Sequence, residues 1–161
     1  MGIESYSILV LFQNVTTMTN NGNWKIVGKS KYYTNKLTDI LKSMQMENTY
    51  DNDWIYDKSI EIKIYEEDNC IQGIEIRGCF SYLEEGIENC YTIIKNIKKV
   101  INQLNIYILN EKVCIENKYE LESLICEKYK GKIEIFKKQY NNIRLKVTCG
   151  EFYYEIYENR K

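Results

Sequence analysis

Histidine, proline and alanine are all absent from this 161-residue chain. Without histidine the chain cannot build a Ser-His-Asp or Cys-His catalytic site. It also lacks the imidazole metal ligand and the usual acid–base group at neutral pH. Any catalysis would have to use carboxylates, tyrosine, lysine or cysteine. The composition therefore favours a protein that binds over one that catalyses, and we predict that it is not an enzyme.

The composition itself has a simple genomic explanation. Alanine and proline need GC-rich codons, whereas the abundant asparagine, lysine, isoleucine and tyrosine use AT-rich codons. This pattern indicates a low-GC bacterium or its phage as the source. The high tyrosine and lysine contents are therefore poor guides to function.

The chain has six cysteines but no CxxC pair, which argues against a zinc knuckle or a thioredoxin-type site. Most of them have apolar neighbours, as in Val113-Cys114-Ile115. We therefore expect free, buried core thiols in a reducing cytosol. We predict no cofactor and no metal.

Targeting and membrane signals are also missing. The apolar run at residues 8–12 is too short for a signal peptide, and no run approaches the length of a membrane-spanning helix. The chain is 44% hydrophobic and 28% charged, as in ordinary globular proteins. We expect a single cytoplasmic domain over residues 1–161.

Hydrophobic periodicity predicts strands and helices that alternate along the chain. Strands are expected at residues 5–12, 24–28, 60–65, 71–80 and 105–109, with 113–115 extending or pairing with the last of these. Helices are expected at 34–46, 83–104 and 118–130, and three further strands at 133–138, 143–149 and 151–157. The polar segment 46–58 is predicted to be a loop.

Short local motifs mark several boundaries of these elements. Asn21-Gly22 favours the left-handed conformations of a type I′ hairpin turn. Ser81 and Glu84 form a capping-box pattern before the second helix. Asn117 is positioned to cap the third helix, and Gly131 is expected to end it.

Hairpins placed between single helices predict an α+β fold. We expect an antiparallel or mixed sheet with about three helices packed on one face. The order of elements also fits an elaborated ferredoxin-like core if the strand at 24–28 is an insertion.

Charge is distributed unevenly along the chain. Residues 47–90 hold 12 acids and three bases, a net charge of −9, whereas the other 117 residues hold 19 bases and 11 acids, a net charge of +8. Such asymmetry can steer a charged partner. Glu84, Glu85 and Glu88 have a simpler explanation, because acids at the start of a helix complement its dipole. The remaining acids predict a docking face if folding gathers them on one side.

The candidate partner-binding residues come from the acidic loop and from the tip of the hairpin at 60–80. They are Asp51, Asp53, Trp54, Tyr56, Asp57, Glu66, Glu67 and Asp68. Aromatic residues among acids can anchor a protein interface, and the acids can complement a basic protein or imitate nucleic-acid phosphates. The D-x-D start is similar to a calcium loop, but the glycine and terminal glutamate are missing.

These observations leave three functions open. The first is a non-enzymatic cytosolic binding or inhibitor protein whose acidic face (47–90) engages a basic protein. In general character the chain is similar to toxin-immunity proteins and phage-encoded inhibitors, although it carries no family motif. The second is a structural or regulatory homo-oligomer assembled through strand 151–157, which is apolar on both faces. The third is a histidine-independent enzyme with a tyrosine-lined pocket, which two carboxylates and a lysine converging in a deep cavity would favour.

A nucleic-acid partner is disfavoured. Bases and aromatic residues interleave near Tyr129, Phe136 and Tyr140, as on some single-stranded RNA-binding sheets. Glu127 and Glu134 interrupt this set, and the pI is about 5.7. No membrane partner is expected.

Overall fold

In the part of the chain that the structure describes, one large antiparallel sheet is accompanied by a separate hairpin and four helices, which confirms the predicted α+β fold. The computed structural model describes residues 4–140 and 149–150. The strands are β1 (Ser5–Phe12), β2 (Thr16–Asn20), β3 (Asn23–Val27), β4 (Glu47–Tyr50), β5 (Asp53–Tyr56), β6 (Ile60–Glu67), β7 (Cys70–Cys79), β8 (Leu104–Ile108) and β9 (Glu111–Val113). The helices are α1 (Thr34–Ser43), α2 (Leu83–Val100), α3 (Lys118–Lys128) and α4 (Lys130–Tyr140).

The main sheet has the strand order β4-β5-β6-β7-β1-β8-β9, and each neighbouring pair is antiparallel. Its central strands β6-β7-β1-β8 alternate along the chain with α1 and α2 in the ferredoxin-like order. Two hairpins elaborate this core, β2–β3 before α1 and β4–β5 after it. The sequence predicted only one strand of the first insertion and missed the second.

Alternating side chains divide the sheet into an apolar face and a polar face. Ile8 in β1, Ile76 in β7 and Ile62 in β6 are neighbours in one row, and all three are buried on the apolar face. The covering helix α2 buries a stripe that recurs every three or four residues. The stripe consists of Ile87, Cys90, Ile93, Ile94 and Ile97. The core therefore lies between α2 and the apolar face of the sheet.

Local turn and cap motifs have mixed outcomes. Asn21 and Gly22 have φ angles of 51° and 79°, as the predicted hairpin turn between β2 and β3 requires. The Asn117 side chain accepts a 3.0 Å hydrogen bond from the backbone N–H of Glu120, which confirms the cap of α3. The capping box predicted at Ser81 is wrong. The residue that precedes α2 is Tyr82, in a left-handed conformation with a φ of 54°, and its side chain does not cap the helix.

Two predicted segments have the wrong secondary structure. Residues 133–138, expected as a strand, lie in α4, and Gly131 lies inside that helix instead of ending α3. Residues 46–58, expected as a loop, contain the β4–β5 hairpin, which extends the sheet beyond β6. The predicted strands at 143–149 and 151–157 lie outside the described residues, except for Cys149, which is helical and buried.

The six cysteines are free, as predicted, but only three are buried. Cys79, Cys90 and Cys149 are buried, Cys70 is half-buried, and Cys114 and Cys126 are exposed. The apolar neighbours of Cys114 were misleading because that residue follows the edge strand β9. No helix in the described part of the chain is both long enough and apolar enough to cross a membrane.

Candidate functional site

Two acidic turns meet at one end of the sheet. The turn between β4 and β5 contains Asp51 and Asn52, and the turn between β6 and β7 contains Asp68 and Asn69. The backbone carbonyl of Asn52 accepts a 2.9 Å hydrogen bond from the backbone N–H of Ile64, which ties the first turn to β6. The antiparallel register therefore brings together acids that lie far apart in the sequence, such as Asp51 and Asp68.

Glu66 joins the two turns to the start of α1. One of its carboxylate oxygens lies 3.5 Å from the Asn52 side-chain amide nitrogen, and the other accepts a hydrogen bond from the Thr34 hydroxyl. The backbone N–H of Thr34 also donates to the Asn69 carbonyl at 2.8 Å. We call the resulting patch the acidic turn surface. Its acids are Asp51, Asp53, Glu66, Glu67 and Asp68, all of them exposed.

Most of this negative charge is not neutralised within the described chain. Asp68 forms a 2.9 Å ion pair with Lys29, and this hydrogen bond raises the pKa of the lysine. Among the described residues, the other four acids of the surface form no ion pair. Lys63 lies opposite Asp53 in the β5–β6 register but makes no ion pair with it. An uncompensated negative patch attracts cations at long range.

Two exposed tyrosines flank the acidic turn surface. Tyr50, the last residue of β4, is 73% exposed and directly precedes Asp51. Tyr33 is 66% exposed and precedes Thr34, whose hydroxyl contacts Glu66. Neither tyrosine was predicted from the sequence, where the available signal was its position immediately before a turn or a helix start. Exposed tyrosines are frequent anchors of protein interfaces.

Three of the residues predicted to bind a partner lie elsewhere. Trp54 is only 5% exposed, because it faces the apolar side of the sheet beside Ile62. Tyr56 is half-buried. Asp57 follows β5 at the opposite end of the sheet, and the eight-residue strand β6 between that end and Glu67 spans about 26 Å.

The negatively charged segment 47–90 therefore does not form a single face. Glu84 and Glu85, at the start of α2, lie at the end of the sheet where Asp57 lies, since neighbouring Gly86 packs against Ile60. Glu61 and Glu75 lie on the polar face, where both contact Arg77. The acidic turn surface is the part of the segment that folding gathers.

The polar face of the sheet carries a hydrogen-bonded cluster around Glu75. One carboxylate oxygen of Glu75 accepts from the Ser7 hydroxyl at 3.1 Å and lies 3.4 Å from Arg77, and the other accepts from the Tyr65 hydroxyl at 2.9 Å. Burial and the bond to Glu75 raise the pKa of Tyr65 to about 12. Burial disfavours the charged Arg77 guanidinium, but Glu75 and Glu61 outweigh it and raise the pKa of Arg77.

Two cavities adjoin this cluster and share Glu75 and Arg77. The narrower one, about 350 Å³, is also lined by Asp53, Glu61 and Lys63. The wider one, about 790 Å³, lies between the sheet and the β2–β3 hairpin. Glu75 already accepts hydrogen bonds from two hydroxyls and an arginine. Because both of its oxygens are engaged, this arrangement suits fixing the positions of the charged groups better than transferring a proton. The described residues contain no group of three or more metal-ligating side chains.

Comparison of the chain with protein-family models, curated proteins and solved structures finds no match.

Proposed function

We propose that this protein is a non-enzymatic binding protein that docks a basic protein partner on the acidic turn surface, in the manner of an inhibitor or immunity protein. One observation carries the proposal. Glu66 contacts both Asn52 and Thr34, so two acidic turns and two exposed tyrosines occupy a single end of the sheet. The partner-binding set is accordingly Asp51, Asp53, Glu66, Glu67 and Asp68, with Tyr33 and Tyr50 in place of Trp54 and Tyr56.

The chemistry of this surface suits a partner rich in lysine and arginine. Exposed carboxylates contribute little to folding stability, but they accelerate association with a cationic partner and fix its orientation. Tyrosine rings add apolar contact area and can take an arginine side chain on their faces. The proposal places the protein in the cytoplasm, where six free thiols remain reduced.

Affinity capture from the source cells with charge-matched baits tests this function. Asp51→Asn combined with Glu67→Gln removes two charges from the acidic turn surface without touching the Glu66 bridge. The control, Glu84→Gln combined with Glu127→Gln, removes two exposed charges from helices α2 and α3. All three baits are used at about 50 mM and about 500 mM salt, which brackets strong and weak screening.

The expected result is a basic protein that the wild type and the control retain at low salt and that the surface variant loses. High salt should release it from every bait. Equal retention by the surface variant and the control would contradict the proposal, as would a captured protein whose retention is insensitive to salt.

A further inference from the structure

The wider cavity on the polar face has the features of a small-molecule site that the proposed function does not use. Its volume of about 790 Å³ falls within the range of ligand pockets, roughly 300–1,000 Å³. The β2–β3 hairpin supplies one wall through Trp24 and Ile26, and the sheet supplies the opposite wall through Leu9 and Tyr107. Apolar and aromatic side chains therefore line part of the space between them, and polar side chains such as Gln72 and Asn110 line the rest.

Arg77 is the charged group on the sheet wall that can donate hydrogen bonds to a ligand in this cavity. The Glu75 carboxylate already accepts hydrogen bonds from Ser7, Tyr65 and Arg77. The Arg77 side chain is 44% exposed, and the contacts of its guanidinium to Glu61 and Glu75 are long, at 3.7 and 3.4 Å. Because a guanidinium has five N–H donors in a planar fork, donors remain for a third acceptor.

The charge of the lining favours an anion. Among the described residues of the lining, Lys25 on the hairpin and Arg77 on the sheet are cationic and Glu75 is the single acid, a net charge of +1. The two cations approach the cavity from different walls. The lining of the narrower cavity, as far as the structure describes it, has in contrast three acids and two bases, a net charge of −1. An anion is therefore expected in the wider cavity and not in the narrower one.

We propose that the wider cavity binds a small planar aromatic carboxylate. Its carboxylate engages the Arg77 guanidinium, and its ring packs against the wall formed by Trp24 and Ile26. The planar fork of arginine matches a carboxylate in a bidentate geometry, and aromatic walls favour a flat ring. This ligand site is independent of the acidic turn surface, which lies at the end of the sheet.

Titration calorimetry with two probes of nearly equal shape tests the proposal. Indole-3-acetate carries the carboxylate, and indole-3-acetamide replaces it with a neutral amide. The wild-type protein should bind the acetate at least about tenfold more tightly, because hydrogen bonds to a charged group are the stronger ones. Arg77→Gln should abolish this preference, whereas Lys63→Gln should retain it, since Lys63 lines only the narrower cavity.

Trp24→Ala supplies an independent test if Arg77→Gln does not fold. This exposed hairpin residue should weaken both probes by a similar factor, because the ring contact is common to them. Asp51→Asn with Glu67→Gln should leave both affinities unchanged, which separates this site from the acidic turn surface. Equal affinity for the two probes would overturn the proposal. So would a retained preference in Arg77→Gln, or no saturable binding by the wild type up to about 10 mM.

Discussion

Tyr6 shows how two glycines shape the core at the scale of single residues. Its side chain is fully buried and lies between β7 and α2, with its hydroxyl 3.8 Å from the Cys90 sulfur. A Cβ atom built on Gly86 would lie 2.7 Å from the Tyr6 hydroxyl oxygen, and one on Gly78 would overlap the phenol ring. The two glycines therefore leave a slot for the Tyr6 ring, which a side chain at either position would obstruct.

Gly78→Ala should destabilise the protein strongly, because a methyl group on β7 would displace the Tyr6 ring from this slot. Overpacking a filled core is costly, so the free energy of unfolding should fall by about 1–3 kcal/mol. The matched control is Gly131→Ala in α4, where a Cβ meets no atom of the described residues within 4 Å and the helix gains propensity. Urea unfolding of both variants provides the measurement. If Gly78→Ala and Gly131→Ala were equally stable, the close packing of Tyr6 against Gly78 would be contradicted.

Tyr65 should make stability depend on pH in a defined window. Its pKa is about 12 in the folded protein, raised by burial and by the bond to Glu75, and near 10 when unfolded. Below pH 10 both states keep the proton and contribute no pH dependence. Between about pH 10 and 12 the unfolded state releases the proton first, so the contribution is lost as pH rises.

The measurement is the free energy of unfolding of the wild type and Tyr65→Phe from pH 8 to 12. The stability difference between them should be constant up to about pH 10. It should then shift against the wild type as pH approaches 12. Parallel curves over the whole range would show that the Tyr65 hydroxyl is not held by Glu75.

Helix α4 shows why some elements could not be predicted from their own sequence. Ile133, Glu134 and Ile135 alternate as in a strand, and this local pattern suggested a meander. The structure buries Ile133, Phe136 and Tyr140 at helical spacing and leaves Ile135 50% exposed. Phe136 packs against Phe80 with ring centroids 5.8 Å apart. That contact comes from a residue more than 50 positions away, so it is invisible to a local pattern.

Paired alanine substitutions distinguish the helix from the strand. A strand would place Ile133 and Ile135 on the same face, whereas α4 places only Ile133 in the core. Ile133→Ala should therefore cost about 2–4 kcal/mol of unfolding free energy, and Ile135→Ala less than about 1 kcal/mol. Thermal or urea unfolding measures both. Similar losses in the two variants would favour the strand.

Predictions at the scale of elements succeeded where the signal was local. The cap of α3 depends on Asn117 and a backbone group three residues later, and the β2–β3 turn depends on two adjacent residues. The β4–β5 hairpin could not be predicted from a local signal, because its strand character depends on Trp54 packing beside Ile62 in the neighbouring strand. Acids at exposed positions made the same segment look like a solvated loop.

At the scale of the whole molecule, topology decides which charges act together. The sequence showed that 12 acids occupy residues 47–90, but strand direction sends Asp57 and Glu84 to one end of the sheet and Asp51 and Glu66 to the other. Each antiparallel strand reverses the chain, so neighbours in the sequence separate and distant turns meet. The acidic turn surface therefore required the register of β5 and β6, which composition does not supply.

The most direct test of this account is the affinity of the captured basic partner for three purified proteins, measured by calorimetry at about 50 mM salt. Two exposed charges contribute about 0.5–1 kcal/mol each, so Asp51→Asn with Glu67→Gln should weaken binding roughly 5- to 30-fold. Glu84→Gln with Glu127→Gln changes the net charge equally and should remain within about twofold of the wild type. If both variants weakened binding equally, the net charge of the protein and not the acidic turn surface would explain the effect. If neither weakened binding, the acidic turn surface would not be the docking site.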